Sequence, residues 1–510
     1  MSHRSIEIGI SIRTQKLRFV KTQSSETILA TFRVIGKIRC MGYLRGNGSL
    51  GSRRDAVTVR LFNPTMELLD RTSLRELQLH KLKKLVVRVY EHSPYYQAKF
   101  DAAGVNPYQL KSLDDYRHYP FFDKDEERIS QERSKAELGH PFGMHITCDP
   151  RLVNRISSSS GTTGSPTFSG FTRLDRELAA ENCARGMVRM GIDPGDVVLH
   201  ASVISMWIAG MPAIDSMMAY GACVVPVGAL SGVERVAQIA NEVKPKMMRT
   251  TVSFARHMAR TMLEKSGIDP RTLGIQKVVV TGEPGGSIKD IYSEIEAGFG
   301  GALCYDNMGA TGCHSPTGIS CEEHAGIHFY AEDNAYFEIV DPKTMTPLPI
   351  EDGVEGEIIF TGLERECGPL LRWRDKDIIK VTTTPCACGR PGVRMQFKGR
   401  VDDMLLVKGV NVFPNAVRDV INSLSALTTG NIRIQKDHDE AVVEPPVKVL
   451  VEIHPGASDA ERADLTQHIV NQVHHHLRFR IRPVLVDADQ FEIKSGATGK
   501  MQLVEVSKNA

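Results

Sequence analysis

Between residues 176 and 281 short apolar runs alternate with amphipathic ones, and this alternation limits the fold more than any other feature of the chain. Residues 176–190, 213–220 and 239–243 read as helices. Residues 197–203, 222–227, 247–251 and 278–281 read as short strands. Strands buried on both sides and separated by helices imply an α/β fold, a mostly parallel sheet flanked by helices. Ligands of such a sheet collect at the carboxyl ends of its strands. At 510 residues the chain exceeds one ordinary core, so two or more domains are expected.

Just ahead of this region, residues 157–166 read Ser-Ser-Ser-Ser-Gly-Thr-Thr-Gly-Ser-Pro. Nothing in the run is apolar enough to bury, so it is neither a core strand nor a buried helix. Its glycines let backbone N–H groups turn toward one point and its hydroxyls add donors, as a polyphosphate requires. A flexible Ser/Gly linker has the same composition. No Gly-Lys-Ser/Thr follows, which excludes a Walker loop.

The formal net charge is +2, which argues against an electrostatic nucleic-acid binder. No apolar run approaches the ~20 residues that span a bilayer. Ten cysteines scattered along so long a chain suggest reduced thiols and a cytoplasmic setting, not a disulfide framework. Residues 1–60 hold twelve Lys/Arg against three Asp/Glu, a local net of +9, while the other 450 sum to −7. We expect this Arg- and Ser-rich segment to be a disordered or non-native extension; its composition is that of a transit peptide, or of a stretch translated from upstream of the true start. No secretory signal is visible.

The phrases LQLHKLKKLVVRVYEHSPYYQAKFDAAGV and YPFFDKDEER, the order Ser-Gly-Thr-Thr-Gly-x-Pro, and GRVDDMLLVKGVNVFP at 399–414 resemble the phenylacetate–CoA ligases of the AMP-forming, adenylate-forming superfamily. The resemblance runs from about residue 61 to 505. It implies a large adenylate-forming domain over 61–399 and a small mobile α+β domain over 400–510. In the latter, strands are expected near 404–407, 432–435 and 447–453 and helices near 414–423 and 460–475. It also implies a reaction: ATP and Mg²⁺ convert an aryl or arylacetic acid to an acyl-adenylate, and coenzyme A takes the acyl group. The partners are small molecules, with a homodimer as a further expectation.

Residue roles follow from the same resemblance. Ser159, Ser160, Gly161, Thr162, Thr163 and Gly164 would hold phosphates. Gly282, Glu283 and Pro284 would form the adenine turn, with Asp306 on the adenine amino group. Met308 stands where the family stacks an aromatic ring on the base. Thr311 would lie on the Mg²⁺ and triphosphate side, but the acid that helps hold Mg²⁺ in the family is Gly312 here, and Ser165 replaces a common lysine. Asp377 and Arg400 would take the ribose hydroxyls, Asp402 would be the hinge, and Lys500 the catalytic lysine, with Lys494 as its competitor. The apolar stretch 205–211 would line the acid pocket or begin a core helix.

Cys386 and Cys388, one residue apart beside Gly389, form a thiolate hook, and Cys321 with His328 would complete a structural Cys₃His zinc site. Some relatives in the family carry a structural zinc in this region. His328 is chosen over His324 because it sits in a strand-like run. Two free thiols and a surface histidine are the alternative. His474, His475 and His476 fall within a helical pattern and read as a solvated face. Three functions remain open: CoA ligation, transfer to a carrier protein or amine, and a degenerate, non-catalytic relative.

Overall fold

The computed structural model describes residues 60–158, 166–283, 285–313, 315–401, 405–407, 410–412, 414–424, 427–438, 442–488, 490–491 and 503–506. All belong to the unit Val57–Ala510. The expectation for residues 1–60 therefore lies almost wholly outside the described residues.

Ahead of the sheet come two helices, α1 (Arg71–His92) and α2 (Pro94–Ala103). Asp70 caps α1 by accepting from the N–H groups of Thr72 and Ser73. Ser93 ends α1 in an extended conformation and caps α2, whose first residue is proline. The following helix α3 (Lys124–Leu138) opens with an Asp123/Glu126 capping box.

A hairpin of β1 (Arg155–Ser158) and β2 (Phe168–Phe171) precedes α4 (Arg173–Arg189). Then come β3 (Val197–His200), α5 (Met211–Tyr220), β4 (Cys223–Pro226), α6 (Gly232–Val243) and β5 (Met247–Thr250). They are followed by α7 (Val252–Ser266), β6 (Lys277–Thr281), α8 (Lys289–Gly298) and β7 (Leu303–Ala310). Strands β4-β3-β5-β6-β7 lie side by side and parallel. Because side chains alternate along a strand, the sheet has two apolar faces. Val198, Met247, Val279 and Tyr305 face α4 and α5. Leu199, Met248, Val278 and Cys304 face α6, α7 and α8.

Parallel pairing stops at β7. The same sheet continues through β8 (Ser315–Ser320), β9 (Ile327–Phe329), β14 (Arg394–Arg400), β13 (Trp373–Thr382), β12 (Glu355–Gly362), β10 (Ala335–Val340) and β11 (Pro347–Leu348), all antiparallel. So the α/β expectation holds, but the parallel part is five strands of twelve. The antiparallel part has a core of its own around Phe329, Phe337, Phe360, Ile379 and Met395.

Beyond β14 a short pair, β15 (Leu405–Val407) and β16 (Val410–Val412), leads to α9 (Pro414–Asn422), β17 (Thr428–Lys436), β18 (Val447–Ile453), α10 (Asp459–Leu477), β19 (Ile481–Asp487) and β20 (Val504–Val506). Their sheet runs β19-β18-β17-β20 over a separate core that includes Ile421, Ile434, Val451 and Ile469. β19 and β20, which add parallel strands to its two edges, were not anticipated. His474, His475 and His476 lie exposed in the last turn of α10. Arg256 and Arg260 of α7 both donate to the Thr429 carbonyl of β17, the latter at 2.9 Å. Gly430 makes room for them, since a Cβ there would lie 2.8 Å from Arg256 Nη2. No helix among the described residues is long and apolar enough to cross a membrane.

Candidate functional site

The hairpin β1–β2 carries the Ser/Thr/Gly run at its tip. Residues 159–165, with Ser159, Ser160, Gly161, Thr162, Thr163 and Gly164, lie outside the described residues, but both stems are defined by the Ser158↔Phe168 register. Ser158 N donates to the Met206 carbonyl at 2.9 Å, tying β1 to the segment that follows β3. Gln131 of α3 clamps β2, giving its Nε2 to the Phe168 carbonyl (2.6 Å) and receiving the Phe168 N–H (2.9 Å). Arg155 pairs with Asp215 at 2.9 Å and stacks on Phe171. Glu127, buried beneath β2, has its carboxyl pushed up to about 7 by burial, against the pull of a Thr167 hydrogen bond and Arg365. Gln131 and Glu127 were missed in the sequence, where they are two polar residues among many on a charged helix.

At the carboxyl end of β6, Gly282 adopts φ +80, a conformation open to glycine. The Glu283 carboxylate turns back to the start of α7, accepting from Ser253 N (2.7 Å) and Ser253 Oγ (2.8 Å). It thereby satisfies a free N–H in the first turn of that helix. Pro284 lies outside the described residues. The turn closes on Asp306 of β7. Ser287 Oγ donates to Asp306 Oδ2 at 2.7 Å, and a Cβ on Gly286 would lie 2.7 Å from Asp306 Cγ. Burial pushes the Asp306 carboxyl up to about 6, opposed by the Ser287 hydrogen bonds.

Met308 does not stand where a base could stack on it. It is buried, 4% exposed, in the cluster with Cys313, Phe329 and Phe360. Strand alternation turns it into the antiparallel core. At Gly312 a Cβ would lie 3.1 Å from both Phe360 Cβ and Trp373 Cβ, so the chain closes on apolar side chains where an acid was expected. The side chain of Thr311 lies outside the described residues.

β13 and β14 bring Asp377 opposite Arg400, and Arg400 Nη1 donates to Asp377 Oδ1 at 3.1 Å. Both side chains keep part of their surface open. The neighbouring arginines have other work. Arg372 is buried against Glu338 (3.0 Å) and the Arg117 and Tyr119 carbonyls (2.6 Å each), and Arg374 pairs with Glu357 through two 2.9 Å bonds. Asp402, Lys494 and Lys500 lie outside the described residues.

The residues Cys321, His328, Cys386 and Cys388 converge, with all four ligand atoms within 4.8 Å of one another. Cys321 Sγ lies 3.7 Å from Cys386 Sγ, and Cys388 Sγ lies 3.4 Å from His328 Nε2. A tetrahedron with zinc–sulfur bonds of about 2.3 Å and zinc–nitrogen bonds of about 2.0 Å has edges of about 3.8 and 3.5 Å. The donor set therefore fits zinc. Burial pushes the Cys321 thiol up to about 12 and holds the His328 ring down to about 3, so the imidazole is neutral and able to ligate. Arg390 and Arg394, placed beside the cluster, supply positive charge against three thiolates. His324 is engaged elsewhere: its ring stacks on Tyr292 at 3.8 Å and its Nε2 lies 3.0 Å from Glu296.

No protein-family model matches the chain. Among curated proteins it is 33% identical over 435 residues to the phenylacetate–coenzyme A ligase of Thermus thermophilus, covering 84% of this chain and 93% of that one. To the phenylacetate–coenzyme A ligase of Escherichia coli it is 30% identical, covering 83% and 92%. Among solved structures, 2-hydroxyisobutyryl-CoA ligase in the postadenylation state with its acyl-AMP superposes with a TM-score of 0.78 at 27% identity, over 87% of this chain and 92% of that one.

Proposed function

The chain belongs to the phenylacetate–coenzyme A ligase family, and from that membership we propose that it is an AMP-forming carboxylate–CoA ligase. A carboxylate oxygen attacks the α-phosphorus of ATP, an acyl-adenylate forms and pyrophosphate leaves. The thiol of coenzyme A then attacks the acyl carbon and AMP leaves. The observation that supports the reading is positional: β1 is tied to the segment that leaves the carboxyl end of β3, and the Gly282–Asp306 turn lies at the carboxyl end of β6 in the same parallel sheet, the side on which a nucleotide is expected.

In this reading residues 159–164 hold the triphosphate by backbone and hydroxyl donors. Gly282, Glu283, Pro284 and Asp306 border the base, with the Glu283 carboxylate holding the turn rather than the ligand. Asp377 accepts from the ribose hydroxyls and Arg400 orients it. Lys500 places an ammonium between the acid and the α-phosphate. Catalysis rests on positioning and on stabilising charge as the bonds exchange. With Gly312 closed against Trp373 and Phe360, we read Mg²⁺ as arriving with the nucleotide, as MgATP.

Cys321, His328, Cys386 and Cys388 would hold zinc with no open position, a structural staple between β8–β9 and the turn before β14. We place the hinge at Asp402, the boundary of a small rotating domain near Arg400, and the enzyme in the cytoplasm, in keeping with nine described cysteines that are all free. Gly312 is the observation on the side of a non-catalytic relative. A screen for ATP-dependent pyrophosphate release over aryl and aliphatic acids decides between them, with Lys500→Ala as control. Release that depends on acid, followed by CoA-dependent AMP formation, supports the ligase. Folded protein that releases no pyrophosphate with any acid supports the alternative, and acyl transfer to a carrier protein but not to CoA would change the acceptor.

A further inference from the structure

His200 ends β3 and Arg249 lies in β5. They are register partners in the parallel sheet, so both side chains project to the same face, side by side, with strands about 4.8 Å apart. Both are buried: His200 is 0% exposed and Arg249 8%. Neither ring nitrogen of His200 has a hydrogen-bond partner, and the Ser202 hydroxyl two residues on, also 0% exposed, has none. Arg249 makes one hydrogen bond, from Nη1 to the Ala209 carbonyl at 2.8 Å, and no described carboxylate pairs with it. The charged or titratable groups that bear on it are the Cys183 thiol and the Tyr330 hydroxyl.

Several other buried arginines are treated differently. Arg185 meets Asp333, Arg189 meets Glu67, Arg256 meets Glu294 and Arg372 meets Glu338. Where no acid is at hand, Arg365 spends its donors on two carbonyls. A guanidinium has five donors and cannot be neutralised within a protein. A guanidinium with one carbonyl partner, beside a buried imidazole and a buried hydroxyl that have none, is set to receive an acceptor.

The location fits such an acceptor. Residues 202–210 leave β3 above this cluster, and their Met206 carbonyl holds the strand that enters the Ser/Thr/Gly tip, while Ala209 holds Arg249. β5 leads directly into Ser253, the partner of Glu283 in the adenine turn. The cluster thus lies at the carboxyl ends of β3 and β5, next to β6 and the adenine turn that follows it.

Building on the ligase reading, we propose that the acid activated here carries a second carboxylate at the end remote from the one that is adenylated, and that Arg249, His200 and Ser202 receive it. Arg249 supplies the balancing charge, His200 one N–H and one lone pair, and Ser202 a hydroxyl. An acid with a bare hydrocarbon tail would leave all three groups unpaired and should be rejected strongly.

The test compares monoacids with their dicarboxylic counterparts, phenylacetate against 4-carboxyphenylacetate and hexanoate against adipate, in wild type, Arg249→Met and Arg249→Lys. We expect at least one dicarboxylate to exceed its partner in kcat/KM for pyrophosphate release by about 100-fold or more. Arg249→Met should abolish that preference chiefly by raising KM for the dicarboxylate, and Arg249→Lys should restore part of it. The ligand-free Tm of Arg249→Met should match or exceed wild type. Preference for the monoacid in every pair, or a preference unchanged in Arg249→Met, overturns the proposal while leaving the ligase reading intact. If no acid releases pyrophosphate, the ligase reading fails; calorimetric titration with adipate and hexanoate then decides the tail site alone, which stands if adipate binds wild type but not Arg249→Met and falls if neither or both bind.

Discussion

In the middle of the twelve-stranded sheet, around β8 and β9, Cys321, His328, Cys386 and Cys388 converge at tetrahedral spacing, with arginines beside them. Near its β4 edge His200, Ser202 and Arg249 lie buried with one hydrogen bond among their side chains. Each cluster takes polar groups out of water, and each must be compensated. The first has four ligand atoms and room for an ion that needs four, so it can close on itself. The second has donors and too few acceptors, so its completion must come from outside the fold. A buried polar cluster reads as scaffold when its own members can satisfy one another, and as a receptor when they cannot.

The strongest way to break this comparison is at the closed cluster. Cys388→Ser should lower stability by about 4 kcal/mol or more, the range reached by loss of a metal, and zinc should fall from one per chain to none by elemental analysis. His324→Ala, outside the ligand set, should keep its zinc; loss of zinc there would redraw the site. Next is a buried arginine whose partner is present. Arg185→Met strands Asp333 and should cost about 3–5 kcal/mol in chemical denaturation.

A smaller effect tests burial that outweighs the nearby charge of Arg365. The Glu127 carboxyl, at about 7 in the folded protein, is raised above its unfolded value of 4.5. A raised carboxyl favours folding while it stays protonated, so that contribution is complete below pH 4.5 and is lost as pH rises to 7. Glu127→Gln should therefore stabilise the protein by about 2 kcal/mol at pH 8 and change little at pH 4. A pH-independent difference between the two proteins would show that folding leaves the Glu127 carboxyl at its unfolded value. The smallest expected change is Arg249→Met without ligand, neutral or stabilising by about 1 kcal/mol, the opposite sign to Arg185→Met. A loss as large as that of Arg185→Met would mean that Arg249 already has its partner.

The two clusters were not equally visible in the sequence. Cys386 and Cys388 beside a glycine announce a thiolate hook, and the strand-like run around His328 points to the histidine that converges with them; only the register of β9 with β14 brings them together. Arg249 interrupts an otherwise apolar strand, a signal that was present and passed over because the run was read for its periodicity alone. Met308 and Gly312 were judged by position in a motif, but which face a strand residue takes and what fills the space beside it depend on partners distant in sequence, Phe329 and Trp373. The parallel strands were legible because each is a short local run. The antiparallel half was not, since β9 and β14 are paired across more than sixty residues. The end of α1 at Ser93-Pro94 was legible too, since a residue before proline disfavours the helical region.

A crystal structure grown with ATP and 4-carboxyphenylacetate tests the central claim most directly. The account predicts an adenylate with its ribose hydroxyls on Asp377, its base beside Asp306, and the free carboxylate of the tail on Arg249 and His200. A nucleotide bound away from Asp377, or a tail pointing away from Arg249 with that guanidinium still unpaired, would contradict it.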